Sequence, residues 1–356
     1  MMRRLIILTL VACAAPAPAA LAQEHATRLR PVERRVEVER RSEARGTEQS
    51  RQRRADERES QTERITRSVN IGANGELDLS NIAGDIVVTR AGGTAAQIEV
   101  VKTARAATAE EAREMLALVP VEITERGSRV EARTRYPEGD DRRRNGRRNI
   151  NVSVAYTVAA PEGTRILVKS ISGNISVRDI QGGLTLESIS GTVRIANAGR
   201  TASGRSISGD IELIDTKVDG MLEAGTISGT VRIRRVTARG LTVNSVSGSV
   251  ELEDLTAERV AAQAISGDIT FAGDLQPNGR YEFTSHSGNV RLTIPAGSGF
   301  QIEASSFSGS INTDVPITMS GGQRAGRSRA LRGTANGGGA SLDLTTFSGT
   351  ILITKR

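Results

Sequence analysis

A four-residue phrase, Ser-Ile-Ser-Gly, occurs at Ser170 to Gly173, Ser188 to Gly191 and Ser206 to Gly209. It returns in altered form at Thr226 to Gly229, Ser245 to Gly248, Ala264 to Gly267, Ser285 to Gly288, Ser306 to Gly309 and Thr346 to Gly349. The glycines therefore fall 18, 18, 20, 19, 19, 21, 21 and 40 residues apart. A period near 20 specifies a stacked array, because one such unit cannot bury its own apolar face and must be covered by the next. Added length in such a chain adds rungs, not new cores.

Each repeat reads apolar, x, apolar, x, Ser/Thr, apolar, Ser, Gly, x, apolar, x, apolar, as in Leu184, Leu186, Ile189, Gly191, Val193 and Ile195. Alternation on both sides of a Ser-Gly bend predicts two short strands turning a corner. Glycine is expected there because φ turns positive or because the neighbouring backbone comes too close for a Cβ. Ile189, Val193 and Ile211 are assigned to the interior and Thr185 to the surface, with Ser190, Ser208, Ser228 and Ser247 forming a hydroxyl ladder at the bend. The expected fold is all-β: a parallel β-solenoid of roughly 19–20-residue rungs, about nine or ten of them, spaced ~4.8 Å apart. Charges support this register. Arg194, Glu212, Arg232 and Glu251 alternate in sign at one motif position, and Lys169, Glu187 and Arg205 at another, so opposite charges meet across neighbouring strands.

These rungs, the approach segment Ala160 to Thr164 and the closing Thr346 to Ile353 resemble the bacterial β-strand-repeat domain family labelled "putative adhesin", a family of unknown function. The likeness covers about residues 68 to 356. It implies surface or envelope placement and supplies no catalytic residues, because the matching positions are core and turn residues.

Arg3 and Arg4 precede the apolar run Leu5 to Ala12, and Ala20-Leu21-Ala22 provides small residues before Gln23, which predicts a signal peptide over residues 1–22. The apolar run is far short of the ~20 residues of a spanning helix. The rival reading takes Leu10-Val11-Ala12-Cys13 as a lipoprotein box with lipidation at Cys13. With cleavage after Ala22 the mature chain has no cysteine, which excludes disulfides and thiol chemistry. The expected destination is export, to the periplasm, the cell surface or the medium.

The net charge of +7 arises outside the repeats: +2 from the leader, +3 from 13 Arg against 10 acids in residues 24–67, and +2 from five Arg against three acids in residues 138–148. The rungs themselves are neutral, so nucleic acid is not an expected partner. Residues 23–67 read as a charged, disordered tether. A solenoid domain is expected over residues 68–356, where Leu77, Leu79, Ile82, Gly84, Ile86 and Val88 form a first rung before an insertion at about 100–158. In that insertion Thr108 and Glu111 make a capping box, ahead of Ala112, Met115, Leu116 and Val119, and Pro120 ends the helix. With strands at about 121–135 and 150–158 it is expected to form a small α+β N-terminal cap over the exposed edge. A second insertion at about 317–340, rich in Gly, Ser and Arg, is expected to be a flexible excursion.

Chemistry is sparse. Asp85, Asp210 and Asp268 follow motif glycines on non-adjacent rungs, too far apart to share an ion, and are read as turn acids. His286 replaces the isoleucine of Ile171, Ile189 and Ile207 and is read as a partly buried filler. Phe271, Tyr281, Phe283, Phe300, Phe307 and Phe347 gather in the last rungs, mostly at inward positions. No metal or nucleotide motif is present, so no catalytic residue, metal ligand or cofactor is assigned. The one candidate contact is a basic cluster, Arg142, Arg143, Arg144, Arg147 and Arg148, suited to an anionic polymer. The functional expectation is a non-enzymatic exported envelope protein, an adhesin or scaffold whose partner is an envelope polysaccharide or another surface protein. The alternative is a polysaccharide-active enzyme or carbohydrate-binding module on a β-helix scaffold.

Overall fold

The computed structural model describes residues 59–137, 150–200, 202–319 and 330–356. In chain order it begins with β1 (Glu59–Asn70), β2 (Glu76–Ala83), β3 (Ile86–Ala91), β4 (Ala95–Ala106), helix α1 (Ala109–Ala117), β5 (Val121–Arg126), β6 (Arg129–Thr134) and β7 (Val152–Pro161). The repeats follow as β8 (Arg165–Ser172), β9 (Ile175–Arg178), β10 (Leu184–Ser190), β11 (Val193–Ala196), β12 (Ala202–Ser208), β13 (Ile211–Ile214), β14 (Lys217–Ser228), β15 (Val231–Ser247) and β16 (Val250–Ser266). The last are β17 (Ile269–Gly273), β18 (Arg280–Ser287), β19 (Val290–Ile294), β20 (Phe300–Ser308), β21 (Ile311–Thr313), β22 (Thr318–Met319), β23 (Ala330–Ala335), β24 (Ala340–Ser348) and β25 (Ile351–Lys355). The unit is all-β apart from one short helix.

Successive repeats pair in parallel and in register: Leu184 stands between Ile166 and Ala202, and Val193 between Ile175 and Ile211. Inward residues of neighbouring rungs thus stack directly, giving a continuous buried column that includes Ile166, Leu184, Val193, Ile211, Leu222 and Val231. The motif glycines report the stacking order. A Cβ on Gly173 would overlap the carbonyl of Gly84, one on Gly191 that of Gly173, and one on Gly209 that of Gly191, with the same relation carried through Gly229, Gly248, Gly267 and Gly288. Close approach is the common requirement, since Gly191 has φ +135° while Gly209 is not in the left-handed region. A second corner uses left-handed Asp179, Asn197, Asp215, Arg235 and Asp254, all with φ between 50° and 60°.

The C-terminal rungs depart from a simple stack. Rung order does not follow chain order at the C-terminus: β24 lies between β18 and β20, and β25 between β19 and β21. The doubled glycine spacing records a detour in which β23 returns antiparallel along the outer edge of β20, with β22 beside it. The insertion expected to be flexible is therefore strand at 318–319 and 330–335, where it covers an open edge; residues 320–329 lie outside the described ones.

At the other end the edge is covered by strands as well as a helix. The rung of β2 and β3 carries β8 and β9 on its inner side; on its outer edge β6 pairs with β2 and β7 with β3, and β7 is followed by antiparallel β4 and β1. A strand satisfies the edge amides and carbonyls, which a helix can only shield. Helix α1 is present with the expected N-cap, Thr108 Oγ1 accepting from the Glu111 N–H at 3.2 Å. The segment expected as one strand at 121–135 is a hairpin turning at Gly127.

The ordered unit also begins before residue 68. β1 starts at Glu59 and is tied to β4 by the buried Lys102, whose Nζ donates to Glu63 at 2.8 Å. The leader, Cys13, Ala22 and the rest of the tether up to residue 58 lie outside the described residues.

Candidate functional face

The motif directs its four residues differently from the sequence expectation. In β10, Leu184, Leu186 and Ser188 are buried, whereas Ile189 and Ser190 face outward and Ile189 is 45% exposed. Ile171, Ile207, Ile227, Val246 and Ile265 repeat that exposure, and on the last rungs the same position holds His286, Phe347 and Phe307. Strict alternation from Leu184 puts residue 188 inside and 189 outside. The apolar character of Ile189 had masked that phase. Assigning Ile189 to the interior is therefore corrected, as is reading His286 as a buried filler. His286 is exposed and stacks on Phe347 at 4.8 Å, and Phe347 stacks on Phe307 at 4.7 Å. Phe271, Tyr281, Phe283 and Phe300 do fill the core, whereas Phe307 is 66% exposed.

The inward serine or threonine is small because the chain is about to turn, and its hydroxyl takes an acceptor from the neighbouring bend. Thr226 Oγ1 donates to the Gly209 carbonyl at 3.0 Å, and Ser285, Thr346 and Ser306 donate to those of Gly267, Gly288 and Gly349 at 3.1 Å each. The first rungs differ. Asn81 Nδ2 donates to Gly84 O at 3.0 Å and Val154 O at 2.8 Å, while Asn81 Oδ1, Ser170 Oγ and Ser188 Oγ are buried without a hydrogen-bond partner. These three residues stand side by side in the register of β2, β8 and β10.

Together these features make a groove of about 830 Å³ running across six rungs. Ile82, Ile171, Ile189, Ile207, Ile227 and Val246 supply its apolar line, and Asn81, Ser170 and Ser188 also border it. Its charged residues oppose one another, with Lys169 3.3 Å from Glu187 and Arg205 2.5 Å from Glu223. At the end nearest β2 it shares Ser80, Ile82 and Thr134 with a second cavity of about 770 Å³ that reaches Arg135 and Tyr136. Burial pushes the Tyr136 phenol up to about 12, helped by Tyr156 nearby; burial likewise takes Tyr156 to about 12 against a hydrogen bond with Thr134.

The acids that follow the glycines are occupied by structure. Asp85 Oδ1 accepts from the Asn174 N–H at 2.8 Å, Asp210 from Thr230 at 2.8 Å and Asp268 from Asn289 at 2.9 Å. Asp210 also pairs with Arg232, and Asp268 with Arg291 at 2.7 Å. Burial alone would raise the Asp268 carboxyl, but these hydrogen bonds and the Arg291 charge outweigh it and hold the group below its ordinary value. The expected charge ladder is formed, Arg194 lying 2.6 Å from Glu212 and Arg232 3.0 Å from Glu251. Among the described residues no cluster of His, Cys, Asp and Glu could hold a metal ion, and no helix is long and apolar enough to cross a membrane. Arg142, Arg143, Arg144, Arg147 and Arg148 lie outside the described residues.

Fold and face thus define a stacked β-repeat, solenoid-like protein with an outward apolar ladder. Residues 157–354 match the Toastrack DUF4097 family, and the chain belongs to it. Among solved structures it is similar to a protein of Parabacteroides merdae described as a "putative adhesin", with 10% identity, a TM-score of 0.47 and coverage of 82% of this chain and 96% of that one. A "putative adhesin" of Bacteroides fragilis gives 14% identity and a TM-score of 0.41, covering 82% and 97%. A "putative lipid binding protein" of Parabacteroides distasonis gives 14% and 0.42, covering 82% and 96%. No curated protein matches the chain.

Proposed function

We propose that this is a non-enzymatic, exported envelope or surface protein that binds its partner on the outward ladder of the solenoid. The observation that carries this reading is the continuous line of exposed Ile and Val residues from Ile171 to Ile265 on a rigid, in-register floor. Aligned apolar residues outside a core mark interaction sites, whereas scattered ones do not. The acids at the bends serve turns and ion pairs, in keeping with a structural role for them. Export rests on the leader sequence, with Arg3, Arg4 and the run Leu5 to Ala12 before Ala22. The basic cluster Arg142 to Arg148 is proposed as a separate, salt-sensitive contact to an anionic envelope polymer.

Cosedimentation of the full mature chain with cell-envelope fragments tests the reading. Replacing Ile189, Ile207 and Ile227 together by Glu is expected to abolish association while leaving the melting curve in place. Undiminished cosedimentation of that folded variant would show that the ladder is not the binding face.

A further inference from the structure

The open edges of the fold are protected unequally. Among the described residues four strands pair on one side only: β5 with β6, β21 with β25, β22 with β23 and β1 with β4. Three of them are short, with six residues in β5, three in β21 and two in β22. β1 has 12, paired with β4 without a break in register from Glu59 to Asn70, and it holds no proline or glycine. Short strands, prolines and bulges keep a sheet edge from pairing with another chain, and β1 has none of these. Along its free side alternate residues hold out N–H and C=O groups that the pairing with β4 does not use.

Such an edge calls for a strand, which alone meets its donors and acceptors at matched spacing. Charge decides whose strand it is. β1 carries Glu59, Glu63, Arg64 and Arg67. In antiparallel pairing with a second copy about a two-fold axis, opposite residues share a face of the sheet, so one residue lies on the axis opposite itself. An axis at Arg64 or Arg67 sets two arginines against each other, and one at Gln61 or Glu63 sets glutamates together, which is destabilising. An axis at Thr62 or Thr66 matches no charges, and axes nearer either end leave most of the strand unpaired. An axis at Ile65 places Glu63 opposite Arg67 twice, with isoleucine on isoleucine at the centre.

The side chains are free to do this. Arg64 is matched within the chain, 2.9 Å from Glu99, whereas Arg67 is exposed and has no ion pair among the described residues. Glu63 gives Oε2 to buried Lys102 at 2.8 Å and keeps Oε1 for another cation, its side chain being 47% exposed. Ile65 packs against the core yet is only partly buried, and a second Ile65 covers what is left. On the other face of the strand Ser60, Thr62, Arg64, Thr66 and Ser68 are all exposed. With Ile65 on the axis, every residue from Ser60 to Asn70 has an opposite residue. Alternate pairs exchange two hydrogen bonds each, about ten in all, as many as a whole protein interface of standard size contains.

We propose that the protein forms a two-fold dimer by antiparallel pairing of β1 with β1 of a second copy, centred on Ile65. The antiparallel sheet of β7, β4 and β1 then runs on into its counterpart in the other chain. Each copy covers the other's open edge, so association stops at two. The dimer stands whether or not the outward ladder is the binding face.

Sedimentation velocity of the full mature chain provides the test. A dimer is expected at micromolar concentration. Arg67→Glu sets glutamate against Glu63 twice and is expected to raise the dissociation constant at least tenfold, while circular dichroism shows an intact fold. Cross-linking reads the register. Residues 23–356 contain no cysteine, and Ile65→Cys brings two thiols within disulfide reach, since directly opposite Cα atoms lie ~4.5–5.5 Å apart. Oxidation is expected to give a covalent dimer. Thr62→Cys faces Ser68 of the second copy and is expected to give none, whereas Thr62→Cys with Ser68→Cys, both at exposed positions, is expected to cross-link. A chain that stays monomeric at several hundred micromolar overturns the proposal, even if it captures an unrelated extended peptide. A dimer that is indifferent to Arg67→Glu, or that cross-links through Thr62→Cys alone as readily as through Ile65→Cys, overturns it as well.

Discussion

The rungs that bend at Gly84, Gly173 and Gly191 and those that bend at Gly288, Gly349 and Gly309 share the close approach of one bend to the next and differ in chemistry. In the first set the outward position holds Ile82, Ile171 and Ile189, and the inward polar groups of Asn81, Ser170 and Ser188 lack partners. In the second set the outward position holds His286, Phe347 and Phe307 in a ring stack, and Ser285, Thr346 and Ser306 each donate to a glycine carbonyl. One cause is visible at Ser170. The carbonyl it would use by analogy, that of Gly84, already accepts from Asn81 Nδ2. The bend sets which way each residue points, and the neighbouring rung sets what its polar atoms can do.

The strongest way to break this comparison is to charge the interior. Val193→Asp and Ile211→Asp are each expected to unfold the array or destabilise it by several kcal/mol, because both residues are fully buried. Ile189→Asp and Thr185→Asp should change stability by less than about 0.5 kcal/mol, being surface positions. Thermal melts check the set; a collapse caused by Ile189→Asp would place that residue in the core after all.

The shared approach to a neighbouring carbonyl predicts that the two ends respond alike to a methyl group at the bend. Gly191→Ala and Gly349→Ala are each expected to cost about 3 kcal/mol, since the new Cβ has only a carbonyl to meet and the stack must open. Gly297→Ala, with open space around it, is the control and should stay near wild type. Denaturant titration of the three variants measures this. A mild effect at one bend and a severe one at the other would show that the ends stack differently.

Alkaline titration probes the cap side of the molecule. An unfolded phenol ionises near 10, while Tyr136 and Tyr156 hold their protons to about 12 in the fold. The folded state therefore binds more protons in that window. Its stability is intact below pH 10 and falls as pH rises toward 12. Melts at pH 9 and pH 11 are expected to separate, and Tyr156→Phe should narrow the gap. An unchanged gap in that variant would move the effect elsewhere, with the raised phenol of buried Tyr281 the next group to test.

The smallest effect tests the hydroxyls. Ser285→Ala should cost about 1 kcal/mol for its lost hydrogen bond, while Ser188→Ala should be neutral or slightly stabilising, since it removes an unpaired buried oxygen. Equal costs would mean that Ser188 has a partner in solution.

Much of the fold was legible. The glycine period, the alternation beside it and the charge alternation at Arg194, Glu212, Arg232 and Glu251 are all local signals that repeat, and repetition exposes a register that a single strand would leave open. The outward ladder was legible in principle, from the phase of Leu184 and Leu186, but a run of isoleucines reads as core when hydrophobicity is weighed above phase. The partnerless Asn81, Ser170 and Ser188 could not be found that way. Asn81 lies far from the other two in sequence, across the insertion that holds the helix and β4 to β7.

The sequence by itself determined the rung, its period, its bend and its neutral charge balance, because each of these depends on residues within one repeat or on the same position in the next. Tertiary structure decided three things that depend on neighbours remote in the chain. It set the rung of β24 and β25 between two others, it gave the edges to β6, β7 and β23, and it left three buried polar atoms without partners beside an apolar groove. Strand edges and buried polar atoms need partners, but their own sequence does not say which segment comes back to provide them.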